Sequence, residues 1–327
     1  MIPVFNEAAN LALLLRRLER SLAGADWEAV FVNDGSTDDS LSILRVAAHR
    51  DRRVKVIGFS RNFGHQAAIT AGLDFAQGDA VAVMDADLQD PPELLPGMLE
   101  LLRTGYDVVS PQRVSRAGET WFKRSTAGLF YRMLGWMLDG RLRHDVGDFR
   151  MFSRRAVLAL REFREQHRFL RGLVPWLGLT EAVLPFNRSP RAGGATKYSF
   201  SKMSRLAWTA ITSFSALPLR LATLAGAALS WGGFVWLVFL VCREFTAHAV
   251  SGWLFACGLQ LMLSGVTLLA LGVLGDYVAR NYEESKARPL YVVGGLLNLA
   301  KPAHRIERAA ILADAPLERM AHVLQRK

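Results

Sequence analysis

The string Asp85-Ala86-Asp87-Leu88-Gln89-Asp90-Pro91-Pro92-Glu93 directly follows an apolar run, Ala80 to Met84, and precedes a stretch with helical spacing. Asp85, Asp87 and the Gln89 amide oxygen are hard donors. They suit Mg²⁺ or Mn²⁺, ions that take few protein ligands and complete their shell with water and phosphate. An Asp-x-Asp alone is common in turns after strands; the longer string is the more specific feature. A second string, Asn33-Asp34-Gly35-Ser36-Thr37-Asp38, also closes an apolar run. Gly35 permits a tight turn, and Asp38 or a nearby hydroxyl can cap the helix that follows. Capping leaves Asp34 unexplained, and a carboxylate at a strand end can accept hydrogen bonds from a base or a ribose. No G-x-G-x-x-G follows the first strand and no G-x-x-x-x-G-K-[ST] occurs, which disfavours dinucleotide and P-loop chemistry.

Such strings need a frame that delivers them to one place. The β-rich runs Val30-Phe31-Val32, Val54-Lys55-Val56-Ile57, Ala80 to Met84 and Asp107-Val108-Val109 alternate with helical stretches. The latter are Leu11/Leu14/Leu15/Leu18/Leu22, Asp38 to Arg50, Ala67 to Gln77 and Pro92 to Arg103. This alternation predicts an α/β fold whose parallel sheet is covered on both faces, with ligands at the C-terminal strand ends. Ile2 to Phe5 reads as the last half of a buried strand, so the native start is expected upstream of Met1. The opening residues carry no secretory signal, which predicts a cytoplasmic N-terminus.

Across 327 residues, apolar types make up 51% and charged types 21%, a balance that excludes a disordered chain and is greasier than an ordinary soluble enzyme. Two uncharged runs stand out, Leu221 to Cys242 with 22 residues and Ala249 to Gly275 with 27. The shorter reaches about 33 Å as a helix, enough for a hydrocarbon core of about 30 Å. Only Arg243 to His248 separates them, which predicts a transmembrane hairpin. Lys197, Lys202, Arg205 and Arg220 before it, with Arg280, Lys286 and Arg288 after it, place both flanks in the cytoplasm.

Phe200, Met203, Ala207, Ile211, Phe214 and Leu217 recur at helical spacing beside Lys202 and Arg205, as in a helix lying in the membrane interface. Phe122, Leu129, Phe130, Met133, Trp136 and Met137 form a similar stripe, for which a core helix is the equal alternative. Cys242 and Cys257 both lie in apolar runs, which excludes a disulfide framework and a Cys-based zinc site. The net charge of +10, from 40 basic and 30 acidic residues, suits phosphates or anionic lipid headgroups; no nucleic-acid partner is expected.

Ile2-Pro3-Val4-Phe5-Asn6-Glu7, Asn33-Asp34-Gly35-Ser36, Ser60-Arg61-Asn62-Phe63-Gly64-His65-Gln66 and the string from Asp85 to Glu93 together resemble glycosyltransferase family two. Later motifs narrow the resemblance to the polyprenyl-phosphate glycosyltransferases, bactoprenol glucosyltransferases and dolichol-phosphate mannose synthase relatives among them. These are Gly147-Asp148-Phe149-Arg150, Arg188-x-x-Arg191-x-Gly193, Thr196-Lys197-Tyr198, and Gly275-Asp276-Tyr277 with Tyr282-Glu283-Glu284 and Arg288-Pro289-Leu290-Tyr291. The resemblance implies a GT-A (Rossmann-like) nucleotide-sugar domain over 1–198, an interfacial amphipathic helix over 199–220, a transmembrane hairpin over 221–275 and a cytoplasmic tail over 276–327. It implies nucleotide contacts from Pro3, Phe5, Glu7, Asp34 and Asp85, and Mg²⁺ or Mn²⁺ held by Asp85, Asp87 and Gln89. Asn33 stands where many members have Asp, and Phe5 where many have Tyr, so a hydrogen bond from each is altered.

The implied reaction carries a hexose, glucose first, from a nucleotide diphosphate sugar to undecaprenyl or another polyprenyl phosphate, with inversion. Both substrates are anionic, so cations must overcome their repulsion. Arg113, Lys123 and Arg124 beside the first apolar stripe, and Arg188, Arg191 and Lys197 before the second, are the expected clamp on the acceptor phosphate. Asp87, Asp148 and Arg150 are the expected catalytic group. The acceptor is largely ionised near neutral pH, so Asp148 is expected to orient Arg150 or the acceptor more than to accept a proton. The enzyme is expected as a multi-pass protein of the bacterial inner membrane with both termini cytoplasmic, and the resemblance allows a homotetramer. A processive polysaccharide synthase is the nearest rival, though its usual Gln-x-x-Arg-Trp motif is absent; a non-catalytic lipid-binding scaffold is the other.

Overall fold

The computed structural model describes residues 1–113, 147–186, 217–247, 252–300 and 309–311. The first half alternates strands and helices as expected: β1 (Ile2–Val4), α1 (Ala8–Ser21), β2 (Ala29–Asn33), α2 (Ser40–Arg50), β3 (Val54–Phe59), α3 (His65–Phe75), β4 (Ala80–Val83), α4 (Leu95–Arg103) and β5 (Val108–Arg113). After residue 146 come β6 (Arg150–Ser153), α5 (Arg154–Arg161), α6 (Leu170–Trp176) and β7 (Glu181–Phe186). α7 (Leu217–Ala247) and α8 (Gly252–Ser285) are long, and β8 (Tyr291–Leu297) and β9 (Ala309–Ile311) follow.

Helix α1 shows why the pattern works: Leu11, Leu14 and Leu18 share one face and are buried against Phe31 of β2, Leu44 of α2 and Val56 of β3. Every residue of β2 is buried because β1 and β3 flank it and helices cover it. Truncating such a core leucine costs about 2–5 kcal/mol.

The sheet departs from the all-parallel expectation. Strands run in the order β1-β2-β3-β8-β9 in one sheet and β4-β6-β5-β7 in the other. β1, β2 and β3 are parallel, as are β5 and β7, but β8 runs antiparallel to β3 and β6 antiparallel to both β4 and β5. A returning strand needs no crossover helix, so neither insertion leaves a βαβ signature. At Met1 two backbone hydrogen bonds bridge the sheets: the terminal nitrogen donates to Ala82 O at 2.6 Å, and Met84 N–H donates to Met1 O at 3.1 Å.

The chain forms two compact units, 1–199 with 288–327, and 200–287. The described residues beyond 287, 288–300 and 309–311, lie in the segment read from the sequence as tail and pair with the first unit through β8 and β9. Tyr291 of β8 is fully buried, stacks on Phe59 with ring centroids 5.3 Å apart, and donates its hydroxyl to Asp74 Oδ2 at 2.7 Å. Arg164 grips both oxygens of Asp74 at 2.8 and 2.7 Å. Asn298 ties the end of β8 to Ala48 O and Val54 O at 2.7 and 2.8 Å.

The second unit is dominated by α7 and α8. Within α8, Met262–Ser285 is a 24-residue stretch that contains an 18-residue window of mean hydropathy 1.6, none of that window being buried in the protein, and it is long and apolar enough to cross a membrane. It overlaps the second expected span and runs past its expected end at Gly275, because α8 continues unbroken to Ser285. Among the described residues it is the one helix that meets this length; the apolar part of α7, Leu221–Trp236, is shorter. α7 begins at Leu217, inside the segment expected as the interfacial helix. Both interfacial stripes otherwise lie outside the described residues.

Candidate active site

The C-terminal ends of β1, β2, β3 and β4 carry the strings that the sequence singles out. The two loops after β1 and β2 are tied side chain to backbone. Asn6 N–H donates to Ser36 Oγ at 3.0 Å, Glu7 N–H to Ser40 Oγ at 3.0 Å and Ala8 N–H to Asp38 Oδ2 at 3.1 Å. In return Asn6 Oδ1 accepts from Thr37 N–H at 2.8 Å. Phe5 stands half-exposed at this edge while Pro3 is buried in β1.

Asp34 is buried, and its two oxygens accept from Phe63 N–H at 2.6 Å and Gly64 N–H at 3.0 Å. Burial raises its carboxyl above the ordinary value, against the pull of those two bonds. The carboxylate expected to meet a nucleotide thus first anchors the loop leading into α3. Gly35 makes this anchor geometrically possible. Its φ is +66°, and a Cβ there would lie 2.6 Å from the Arg61 carbonyl carbon and Asn62 nitrogen. Asn33, beside it, is buried with both amide atoms lacking a hydrogen-bond partner.

After β4 the acidic string is a preformed loop. Asp85 N–H donates to the buried Asp90 at 3.0 Å, and Gln89 N–H donates to Asp87 Oδ1 at 3.1 Å. Leu88 takes a left-handed φ of 63° to close it. In the antiparallel register Val83 faces Arg150, and continuing that register outward sets Asp85 opposite Asp148.

Between these two carboxylates sits His65, the first residue of α3. Its Nε2 lies 3.7 Å from Asp85 Oδ1 and 3.6 Å from Asp148 Oδ2. Arg171 of α6 holds Asp148 from another side, Nε to Oδ1 at 2.8 Å and Nη2 to Oδ2 at 3.1 Å. The group is partly open to solvent: side-chain exposure is 44% for His65, 36% for Asp85 and 8% for Asp148.

Burial alone would raise the Asp148 carboxyl, but His65 and Arg171 outweigh it and hold the group well below the ordinary carboxylate range. Burial opposes charge on His65, yet Asp148 and Asp85 raise it above its ordinary value. Asp85 is raised by burial first and then by the repulsion of Asp148 and Asp87, against the attraction of His65.

Asp148 was expected to orient Arg150 or the acceptor; in the structure its carboxylate meets Arg171 and His65, because α6 brings Arg171 over it. Arg150 is buried and turns its Nε to Gly147 O at 3.2 Å, with Nη1 unpartnered. His65 lies inside a quoted motif without an assigned role, and Arg171 lies in no motif at all; neither carries a local signal of its chemistry. Arg113 ends β5, while Lys123, Arg124, Arg188, Arg191 and Lys197 lie outside the described residues.

Among the described residues no three His, Cys, Asp or Glu side chains converge as a ready-made cage. Asp85, Asp87 and the Gln89 amide oxygen are hard donors, few in number, and fit a divalent cation that relies on phosphate and water for the rest of its shell.

Residues 1–161 match the profile of glycosyl transferase family 2. The chain is 45% identical over 296 residues to YkcC, an uncharacterised glycosyltransferase of Bacillus subtilis, covering 90% of this chain and 92% of that protein. It is 35% identical to the prophage bactoprenol glucosyl transferase homolog of Escherichia coli, covering 90% of this chain and 97% of that protein. To the bactoprenol glucosyl transferase of Shigella phage SfV it is 36% identical, with 90% and 96% covered. Identities of 35% to 45% over 90% of the chain, with the profile match over residues 1–161, mean that the chain belongs to glycosyl transferase family 2, alongside the bactoprenol glucosyl transferases.

Proposed function

We propose that this protein transfers a hexose, glucose first, from a UDP-sugar to a polyprenyl phosphate such as undecaprenyl phosphate at the cytoplasmic face of the inner membrane. The observation that carries the reading is the extent of the match. Relatives named bactoprenol glucosyl transferases align along 90% of the chain, so the alignment runs beyond the family-2 domain, which ends at residue 161. The apolar length of α8 supports a membrane-bound acceptor.

In this reading an acceptor phosphate oxygen bonds to the sugar's anomeric carbon as the bond to the leaving diphosphate breaks, with inversion. A bound Mg²⁺ or Mn²⁺ supplies charge neutralisation for the departing diphosphate. Asp85 and Asp87, with Gln89, would hold it, and Pro3, Phe5, Glu7 and Asp34 would form the nucleotide edge. Asp148, kept ionised by Arg171 and His65, is a positioning group: the acceptor already carries about −1.5 to −2 charge at neutral pH, so no proton needs to be removed. Arg113, Lys123, Arg124, Arg188, Arg191 and Lys197 are the candidate clamp on the acceptor phosphate, and Arg150 is a buried cation beside the reacting centre.

The test is transfer of labelled glucose from UDP-glucose to undecaprenyl phosphate by the full chain in detergent, with Mn²⁺, with Mg²⁺ and with chelator. A glucosylated lipid formed only with a divalent cation, and lost in Asp87→Asn, is the expected result. Turnover by Asp87→Asn in chelator would refute the reading. Elongating saccharide product would favour a processive synthase instead.

A further inference from the structure

The eight residues between α5 and α6, 162–169, take no helix or strand, yet they lead directly to Arg171 and its bond with Asp148. A descending series of polar contacts lays them along α3 from its C-terminal end to its N-terminal end. Arg161, which closes α5, donates through Nε and Nη2 to Leu73 O at 2.9 and 2.7 Å and through Nη2 to Ala76 O at 2.9 Å. Arg164 holds Asp74. The buried Arg168 donates to Thr70 Oγ1 at 3.2 Å. Last, the Leu170 N–H donates to Gln66 Oε1 at 3.2 Å.

This last contact satisfies a group that the local sequence leaves without an acceptor. Leu170 opens α6, and the first N–H groups of a helix have no partner within it. A Ser, Thr, Asn or Asp just ahead of a helix commonly supplies an acceptor; Phe169 stands there and has no side-chain oxygen. Gln66, the second residue of α3, supplies one from another helix. Its own backbone is pinned in turn, because Gln66 O accepts from Thr70 Oγ1 at 2.7 Å. The residue after Leu170 is Arg171. Its two-pronged bond to Asp148, at 2.8 and 3.1 Å, forms only when both donor directions are right.

We propose that Gln66 is a positioning residue for the Arg171–Asp148 pair: its side-chain oxygen caps α6 from α3 and so fixes the angle at which Arg171 meets Asp148. This role rests on the reading above in which Asp148 serves glucose transfer.

The test is a double-mutant cycle between positions 66 and 171 in the full chain in detergent, read as glucose transfer from UDP-glucose to undecaprenyl phosphate at saturating Mn²⁺. Gln66→Met keeps the side-chain length and removes the acceptor. Its kcat falls by about tenfold through misplacement of Arg171. KM for UDP-glucose stays within about twofold, because the proposed nucleotide edge after β1 and β2 is untouched. Gln66→Glu keeps an oxygen in reach of the Leu170 N–H and recovers most of kcat. In an Arg171→Ala background no guanidinium is left to place, so Gln66→Met costs no more than about twofold further. Hydrogen exchange read by mass spectrometry follows the cap without catalysis: the peptide carrying the Leu170 amide exchanges faster in Gln66→Met than in the parent or in Gln66→Glu.

Full turnover in Gln66→Met overturns the positioning role. So does an undiminished loss on top of Arg171→Ala, which assigns Gln66 to another part of the site. A change in KM alone moves Gln66 to the nucleotide edge and overturns it as well. Unaltered exchange at Leu170 removes the cap. If Gln66→Met does not fold, Gln66→Asn, which withdraws the oxygen by one methylene, must show the same loss and the same non-additivity. A parent that transfers no glucose sinks this role together with the function it rests on, whereas a parent that transfers beside an unimpaired Gln66→Met sinks this role alone.

Discussion

A carboxylate gripped by a guanidinium and an imidazole is a poor base, and Asp148 is such a carboxylate. Its charge is worth more than its basicity. Asp148→Asn keeps the shape but leaves Arg171 facing a neutral amide. Turnover is expected to fall by about tenfold to a hundredfold through lost positioning. The acidic limb of the rate–pH profile should stay near pH 6, where the acceptor phosphate takes up its second proton. A limb that disappears in the variant would make Asp148 the base after all. At this scale the sequence shows oxygen donors well, because Asp85, Asp87 and Gln89 sit within one loop whose chemistry is local. It hides His65 and Arg171, whose roles arise only when α3 and α6 are folded against that loop. The expectation that Asp148 orients Arg150 or the acceptor leaves out Arg171, which only the fold brings to that carboxylate.

Elements are legible where their pattern is self-contained. The alternation of β1 to β5 with helices follows from apolar periodicity, and the buried face of α1 is readable from its leucines alone. Strand direction is not a local property, which is why β6 and β8 turn an expected parallel sheet into a mixed one. The same antiparallel β6 is what places Asp148 opposite Asp85.

Two substitutions test how these elements are held. Gly35→Ala puts a Cβ against the backbone of Arg61 and Asn62 in a left-handed conformation. It should cost at least about 2 kcal/mol and weaken UDP binding by displacing the Asp34 anchor; calorimetry and a UDP titration read both.

Tyr291→Phe removes the hydrogen bond that ties β8 to α3, at about 2 kcal/mol. Burial, with the nearby Asp74 charge, raises the Tyr291 hydroxyl well above its ordinary value of 10.0. The folded chain therefore keeps this proton after the unfolded chain sheds it. That stabilisation is complete below the ordinary value and is lost as the pH climbs toward the folded one. Melting temperature should fall more steeply from about pH 9 to about pH 11 in the parent than in the variant; equal slopes would remove Tyr291 from the alkaline transition.

At the scale of the whole molecule, the chain leaves the sugar-transfer unit near residue 199, forms the long-helix unit, and returns at residue 288 to contribute β8. Both long apolar runs are plain in the sequence because uncharged length needs no tertiary context. The return is not, because a seven-residue apolar strand after a helix reads as tail until β3 is seen to lack a neighbour on that side. This topology separates two deletions that the sequence alone treats as one. Ending the chain at residue 287 removes β8, strips the cover from Phe59 and leaves Asp74 without Tyr291, so it should abolish folding and UDP binding together. Replacing residues 200–287 with a flexible linker keeps β8. UDP binding should then survive near the parent affinity while transfer to undecaprenyl phosphate in vesicles is lost, because a polyprenyl tail stays in the bilayer and a unit without its apolar helices has no means of staying beside it. If the linker protein still glucosylates the vesicle-embedded lipid at the parent rate, the long helices do not serve to bring the two substrates together, and another segment must supply the membrane attachment.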